Sequence, residues 1–254
     1  MNLVAIAERT LPLLDLTSLN DADDAATTAA LCAKAVTPAG NVAAVCLWTP
    51  FIPQAKQALT GNGVKVATVV NFPGGSLPAE KVADQIARAL ADGADEIDVV
   101  MPYAAIMHGQ GGDQRAADHL AACREACGTT TMKVILESGA LAKPALVERA
   151  AAVAVASGAD FLKTSTGKVP AGATLGAARI MLTACREAGR PVGFKASGGI
   201  RDVETAAQYL ALADQVCGAG WVSPATFRFG ASGLLDALLG VLGHGPAAKV
   251  TTGY

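Results

Sequence analysis

Residues 91–98 read ADGADEID and residues 156–163 read ASGADFLK. In both, a Gly-Ala-Asp turn leads the chain out of an Ala-rich stretch into an apolar run. The third residue after that Asp is charged: Asp98 in the first copy, Lys163 in the second. The copies are 65 residues apart, and Lys195, the next lysine set in an apolar run, follows Lys163 by 32. A strand with its crossover helix takes roughly thirty residues, so these offsets are two units and one. Outward from here, β-rich runs recur at 13–16, 42–48, 64–72, 96–102, 132–138, 161–166, 192–196 and 227–232. Several, such as VAAVCLW and VKVATVVNF, are apolar on both faces, which predicts parallel strands covered on both sides.

The segments between them carry helical period. Val82, Ile86 and Leu90 recur every four residues before Gly93, and the 144–158 stretch opens on Pro and closes on Gly, the expected asymmetry of helix ends. Eight strand–helix units fill 254 residues and predict a single-domain (β/α)8 TIM barrel over residues 1–243. An open doubly wound sheet is the alternative, but no Gly-x-Gly-x-x-Gly follows the first strand. Residues 244–254 lack periodicity and read as a flexible C-terminal tail.

Composition narrows the function. The chain is 52% hydrophobic and 17% charged, with a formal charge of −2, so it has the apolar content for a core and no basic field for nucleic acid. No apolar run approaches the roughly 18 residues of a membrane span. The first residues, MNLVAIAER, carry no basic leader, which suggests a cytoplasmic protein. The six cysteines are scattered through Ala-rich segments and read as small hydrophobes, and the three histidines show no ligand spacing, so neither a disulfide framework nor a metal site is expected.

Asp98, Lys163 and Lys195 sit where a barrel should be hydrophobic. Lysines on adjacent strands repel as ammonium ions, and burial also favours loss of a proton. A lysine that is free amine near neutral pH attacks carbonyls and forms a Schiff base, with the neighbouring carboxylate moving protons. Three consecutive strand ends then run into Gly/Ser-rich turns: STGKV (165–169), SGGIR (197–201) and FGASG (229–233). Such turns form a phosphate cradle where barrels commonly place one. An isomerase or epimerase with Asp98 as base, or a non-catalytic phosphosugar binder, fits the same residues.

The stretches DLTSLN (15–20), TPAGNVAAVC (37–46), ATVVNFP (67–73), GADEIDVV (93–100), KVILESG (133–139), GADFLKTSTGK (158–168), GFKASGGIR (193–201) and FRFGAS (227–232) resemble the 2-deoxyribose-5-phosphate aldolase family. The resemblance implies a class I, cofactor-free and metal-free aldolase. It would cleave 2-deoxy-D-ribose 5-phosphate reversibly to D-glyceraldehyde 3-phosphate and acetaldehyde. By motif position, Lys163 would be the Schiff-base lysine, Lys195 the lysine that lowers its pKa, and Asp98 the proton-relay carboxylate. Phosphate would rest on Gly167, Lys168, Gly198, Gly199, Arg201, Gly230 and Ser232. Asp15, Thr17 and Cys46 would line the pocket near the substrate's hydroxyls and the acetaldehyde end, and Tyr254 would dip into the site to assist proton transfer. Lys133 and Glu137 either reach the pocket or form a half-exposed strand-end pair. Phosphorylated sugars and small aldehydes are the implied partners, and the oligomeric state is open, with a homo-oligomer among the options. The chain departs from the family pattern at Ala104, at Gly233 and in FPGGS (72–76).

Overall fold

Eight parallel strands close into a barrel in the computed structural model, which describes residues 2–245. In chain order they are β1 (Leu14–Thr17), β4 (Ala44–Leu47), β5 (Lys65–Val70), β6 (Glu96–Val100), β7 (Thr131–Ile135), β8 (Phe161–Lys163), β9 (Gly193–Ser197) and β10 (Phe227–Ala231). The two remaining strands, β2 (Val36–Thr37) and β3 (Gly40–Asn41), pair with each other as a small hairpin outside the barrel. Neighbours around the barrel follow chain order, and β10 returns to pair with β1, Asp15 opposite Gly230. All eight expected strands form: β1 and β9 keep their expected length one residue further along, and the other six are shorter by one to three residues.

The helices between strands form for local reasons. In Ala79–Ala91 the residues Val82, Ile86 and Ala89 are buried on one stripe, and the chain leaves through Gly93 at φ +97°. Pro144–Ala156 opens with proline in its first turn and buries Val147, Ala150, Ala151 and Ala154. The helices Ala25–Ala35, Leu175–Glu187 and Val203–Cys217 are capped by Asp24, Thr174 and Asp202, whose side chains accept N–H bonds from Thr27, Ala177 and Thr205, satisfying amides that have no partner within the helix.

The main apolar core lies between the barrel and this outer layer of helices. A second, small cluster of Leu19, Cys46, Ala67 and Val69, edged by Trp48 and Phe72, forms the apolar wall of the interior at β4 and β5. All six cysteines are free. Residues 246–254 lie outside the described residues, and with them most of the expected tail and Tyr254.

Candidate active site

Strand period two sends alternate side chains inward. In EIDVV that selects Glu96 and Asp98, in TMKVI Lys133, in FLK Phe161 and Lys163, in GFKAS Lys195 and Ser197, in FRFGA Arg228 and Gly230, and in LDLT Asp15. Bonds between non-adjacent strands can only cross the interior, and here they do. From β6, Asp98 Oδ2 accepts from Lys163 Nζ on β8 at 2.7 Å and from Lys195 Nζ on β9 at 2.8 Å. Its other oxygen accepts from Lys133 Nζ at 2.7 Å. Lys195 also donates to Asp15, which takes Arg228 at 2.6 Å on its second oxygen. Glu96 closes the floor, 2.6 Å from Lys133 and 2.9 Å from Arg228. Register supports the convergence, since Lys163 pairs with Lys195 and Lys195 with Arg228.

Two missing side chains make room. A Cβ on Gly230 would lie 2.9 Å from Lys195 Cε and from Ser197 Cβ, and one on Gly193 would lie 2.4 Å from the Phe161 ring. Lys195 and that ring therefore occupy space that their glycine neighbours leave free.

Four cationic side chains (Lys133, Lys163, Lys195, Arg228) thus face three carboxylates (Asp15, Glu96, Asp98), all seven of them buried. Burial alone would neutralise carboxylates, but the three lysines around Asp98 outweigh it and hold that group well below the usual range. Asp15 is lowered the same way, by Lys195 and Arg228. Burial would discharge the lysines too, but Asp15 and Asp98 together raise Lys195, and Asp98 and Glu96 raise Lys133. Lys163 alone goes the other way: burial lowers it, Asp98 opposes, and Lys195 adds repulsion. The surplus positive charge is most easily shed there.

Lys163 is also the only one of these seven to reach the cavity above. That cavity, of about 280 Å³, is lined by the strand ends and turns of β1, β8, β9 and β10, with Thr17, Thr166, Gly167, Lys168, Gly198, Gly199, Arg201, Gly230 and Ser232 among its walls. Gly198 and Gly199 both hold positive φ, +92° and +86°, a succession that side-chain-bearing residues rarely adopt. Arg201 makes no side-chain hydrogen bond or ion pair among the described residues, and exposed Asp21, 3.9 Å away, is the ion partner of Lys168. The helix Leu234–Val241 starts just past Ser232 without a side-chain cap. One unpaired and one loosely paired cation, small turns and an uncapped helix start together suit an anion. Among the described residues no group of three His, Cys, Asp or Glu is placed to hold a metal ion.

The structure corrects several expectations. Asp15 does not line the cavity; it is fully buried in the ionic floor, because its strand neighbours turn it toward Lys195 and Arg228. Cys46 is likewise sealed into the apolar wall. Lys133 and Glu137 are not a half-exposed pair: both are fully buried, with separate partners. His119 is buried beside Asn71, its Nε2 3.4 Å from the amide nitrogen, whereas His108 and His244 are exposed. Sequence reasoning missed Glu96 and Arg228 and left Lys133 undecided. A signal existed for all three. Glu96 and Arg228 share inward parity with residues already singled out, and Lys133 falls in the unit between Asp98 and Lys163.

Known proteins share the sequence pattern and the fold. The sequence profile of the DeoC/LacD family aldolases matches residues 10–239. A deoxyribose-phosphate aldolase of Agrobacterium fabrum is 48% identical over 250 residues, 98% of this chain and 96% of its own length. A solved structure from Toxoplasma gondii ME49, described as a candidate deoxyribose-phosphate aldolase, superposes with a TM-score of 0.88 at 25% identity, covering 97% of each chain. The deoxyribose phosphate aldolase of Aeropyrum pernix, a tetramer, shares the fold at a TM-score of 0.75 and 22% identity, over 93% of this chain and 95% of its own. With a family profile that matches from β1 into the last helix and a relative 48% identical over nearly its whole length, the chain belongs to the DeoC/LacD family of aldolases.

Proposed function

We propose that this aldolase reversibly cleaves 2-deoxy-D-ribose 5-phosphate to D-glyceraldehyde 3-phosphate and acetaldehyde by class I chemistry, through an imine at Lys163. The observation that carries the reading is a single oxygen. Asp98 Oδ2 is shared by Lys163 and Lys195, and of those two lysines Lys163 is the one open to the cavity. The family membership and the curated relative support the same substrate.

The free amine of Lys163 attacks C1 of the open-chain sugar, and loss of water gives the protonated imine. The bond between C2 and C3 then breaks, since C2 adjoins the imine carbon and only that cleavage leaves the phosphate on a three-carbon fragment and C1 and C2 as acetaldehyde. Its electron pair moves to C2, forming an enamine on Lys163, while the C3 hydroxyl gives up its proton and becomes the aldehyde of glyceraldehyde 3-phosphate. Protonation at C2 and hydrolysis release acetaldehyde and restore the amine. Asp98 and Lys195, already bonded to each other and beside the reacting nitrogen, are the groups placed to trade these protons. Lys168, Arg201 and the turn amides hold the phosphate, and Thr17 lines the same cavity. The imine serves as electron sink, so the proposal includes no metal or cofactor, and exhaustive chelation is expected to leave turnover unchanged. A cytoplasmic location and a homo-oligomeric form belong to the same proposal, the latter to be checked by light scattering.

Borohydride added with acetaldehyde is expected to reduce the imine and leave an ethyl group on Lys163, found by peptide mass mapping. An isomerase or a mere binder would leave that peptide unmodified, and so would end this reading.

A further inference from the structure

One buried carboxylate stands outside the chemistry above. Glu137 follows β7 with φ 53° and ψ 57°, a left-handed conformation that a residue with a side chain adopts at a cost. The twist aims its carboxylate across the top of β8. There it accepts the Thr166 hydroxyl, and the Thr166 N–H lies 3.3 Å from the same oxygen. The Thr166 hydroxyl in turn accepts the backbone N–H of Lys168 at 3.1 Å. The chain from Glu137 through Thr166 to Lys168 therefore spans the turn that walls the cavity with Thr166, Gly167 and Lys168. On its far side the same loop is tied to β9: Ser197 donates to Ser165 O, and Thr164 exchanges bonds with Ser197. On the β7 side, the Ser138 N–H to Thr164 O bond holds the base of the loop, and among the described residues Glu137 alone reaches its tip from that side. Burial raises the Glu137 carboxyl, while the Thr166 bonds and Lys163 oppose that shift.

We infer that Glu137 is a positioning residue that holds the Thr166–Lys168 turn in its anion-binding shape, acting on the phosphate end of the substrate and not on the reacting carbon. The inference rests on the rim being the phosphate site of the proposed function. Because φ 53° suits glycine, Glu137→Gly removes the carboxylate without straining the fold, and Glu137→Gln keeps an acceptor oxygen.

Glu137→Gly is expected to raise KM for 2-deoxyribose 5-phosphate by roughly tenfold or more, the scale of a lost charge-assisted bond. Its kcat/KM on unphosphorylated 2-deoxyribose should change by less than about twofold. Thr166→Val should raise KM similarly, the double variant should add nothing further, and Glu137→Gln should recover most of the loss. Equal loss on both sugars, no loss on either, or additive effects of the two variants overturn the inference. Inorganic phosphate supplies a readout that needs no turnover: it should raise the Tm of the unaltered protein and do so far less for Glu137→Gly. If the unaltered protein fails to cleave the sugar phosphate but shows this difference, the substrate assignment falls and the role of Glu137 stands. If phosphate shifts both proteins equally, or neither, the role of Glu137 falls.

Discussion

Lys163 and Lys195 carry the same side chain on paired positions of adjacent strands, yet their surroundings push them in opposite directions. Lys195 touches two carboxylates, Asp15 and Asp98, while Lys163 shares one of these and faces the repulsion of Lys195. That count is the physical basis of the proposed division of labour, in which Lys195 stays an ammonium ion and Lys163 becomes the nucleophile. Replacing Lys195 by leucine removes a cation from beside Lys163 and leaves the carboxylates, so the ammonium form of Lys163 is favoured and its pKa rises. Borohydride trapping with acetaldehyde, followed against pH, should then require more alkaline conditions than in the unaltered protein, with turnover at neutral pH down at least ~100-fold. An unmoved profile would separate Lys195 from the activation of Lys163.

At the level of elements, β9 and β10 work as a pair. Lys195 rises into space left by Gly230, and β9 opens on Gly193 against the Phe161 ring. A methyl group at the two glycines should therefore act differently. Gly230→Ala presses on Lys195 and Ser197 at the edge of the cavity, and should lower kcat by at least about tenfold with a modest stability cost. Gly193→Ala meets an aromatic ring deep in the barrel, and should lose about 1–3 kcal/mol of unfolding free energy in urea, the usual scale of overpacking. The same logic explains why Phe161 is useful there: its ring, 5.7 Å below the Arg228 guanidinium, gives that buried cation an aromatic face.

Across the whole molecule, the interior of the barrel is apolar on the β4–β5 side and ionic elsewhere. A buried ionic network contributes little net stability when intact but is expensive to break. Asp15 and Asp98 are held below their ordinary values in the folded protein, so they stabilise it at pH values above the unfolded carboxylate range, about 3.9. That contribution is lost as pH falls from there through the depressed folded values. Lys133, raised by its carboxylates, contributes fully below about pH 10.4 and loses its contribution as pH climbs through the raised value. Urea titrations from about pH 7 down to pH 3 should show stability falling with acid. Asp98→Asn, which leaves three lysines short of a partner, should lower stability at neutral pH by about 3–5 kcal/mol and flatten that acid dependence. A variant with unchanged slope would show that the acid sensitivity arises elsewhere.

What could be read from the letters alone was whatever depends on neighbours in the chain. The eight units, the Gly-Ala-Asp entries to strands, the helix ends at Gly93 and Gly158, and the lysines in apolar runs are all local patterns, set by backbone periods of 2 and 3.6. Closure of the barrel decided the rest. Asp15 and Arg228 are 213 positions apart and meet only because β10 pairs with β1; the same closure turns Asp15 and Lys133 from presumed pocket or surface groups into a sealed ionic floor. The left-handed backbone at Glu137 was equally hidden, since nothing in KVILESG requires it; it is sustained by a hydroxyl 29 residues further along. Electrostatic roles in a dry interior depend on which charges surround a group in space, and that is a property of the fold.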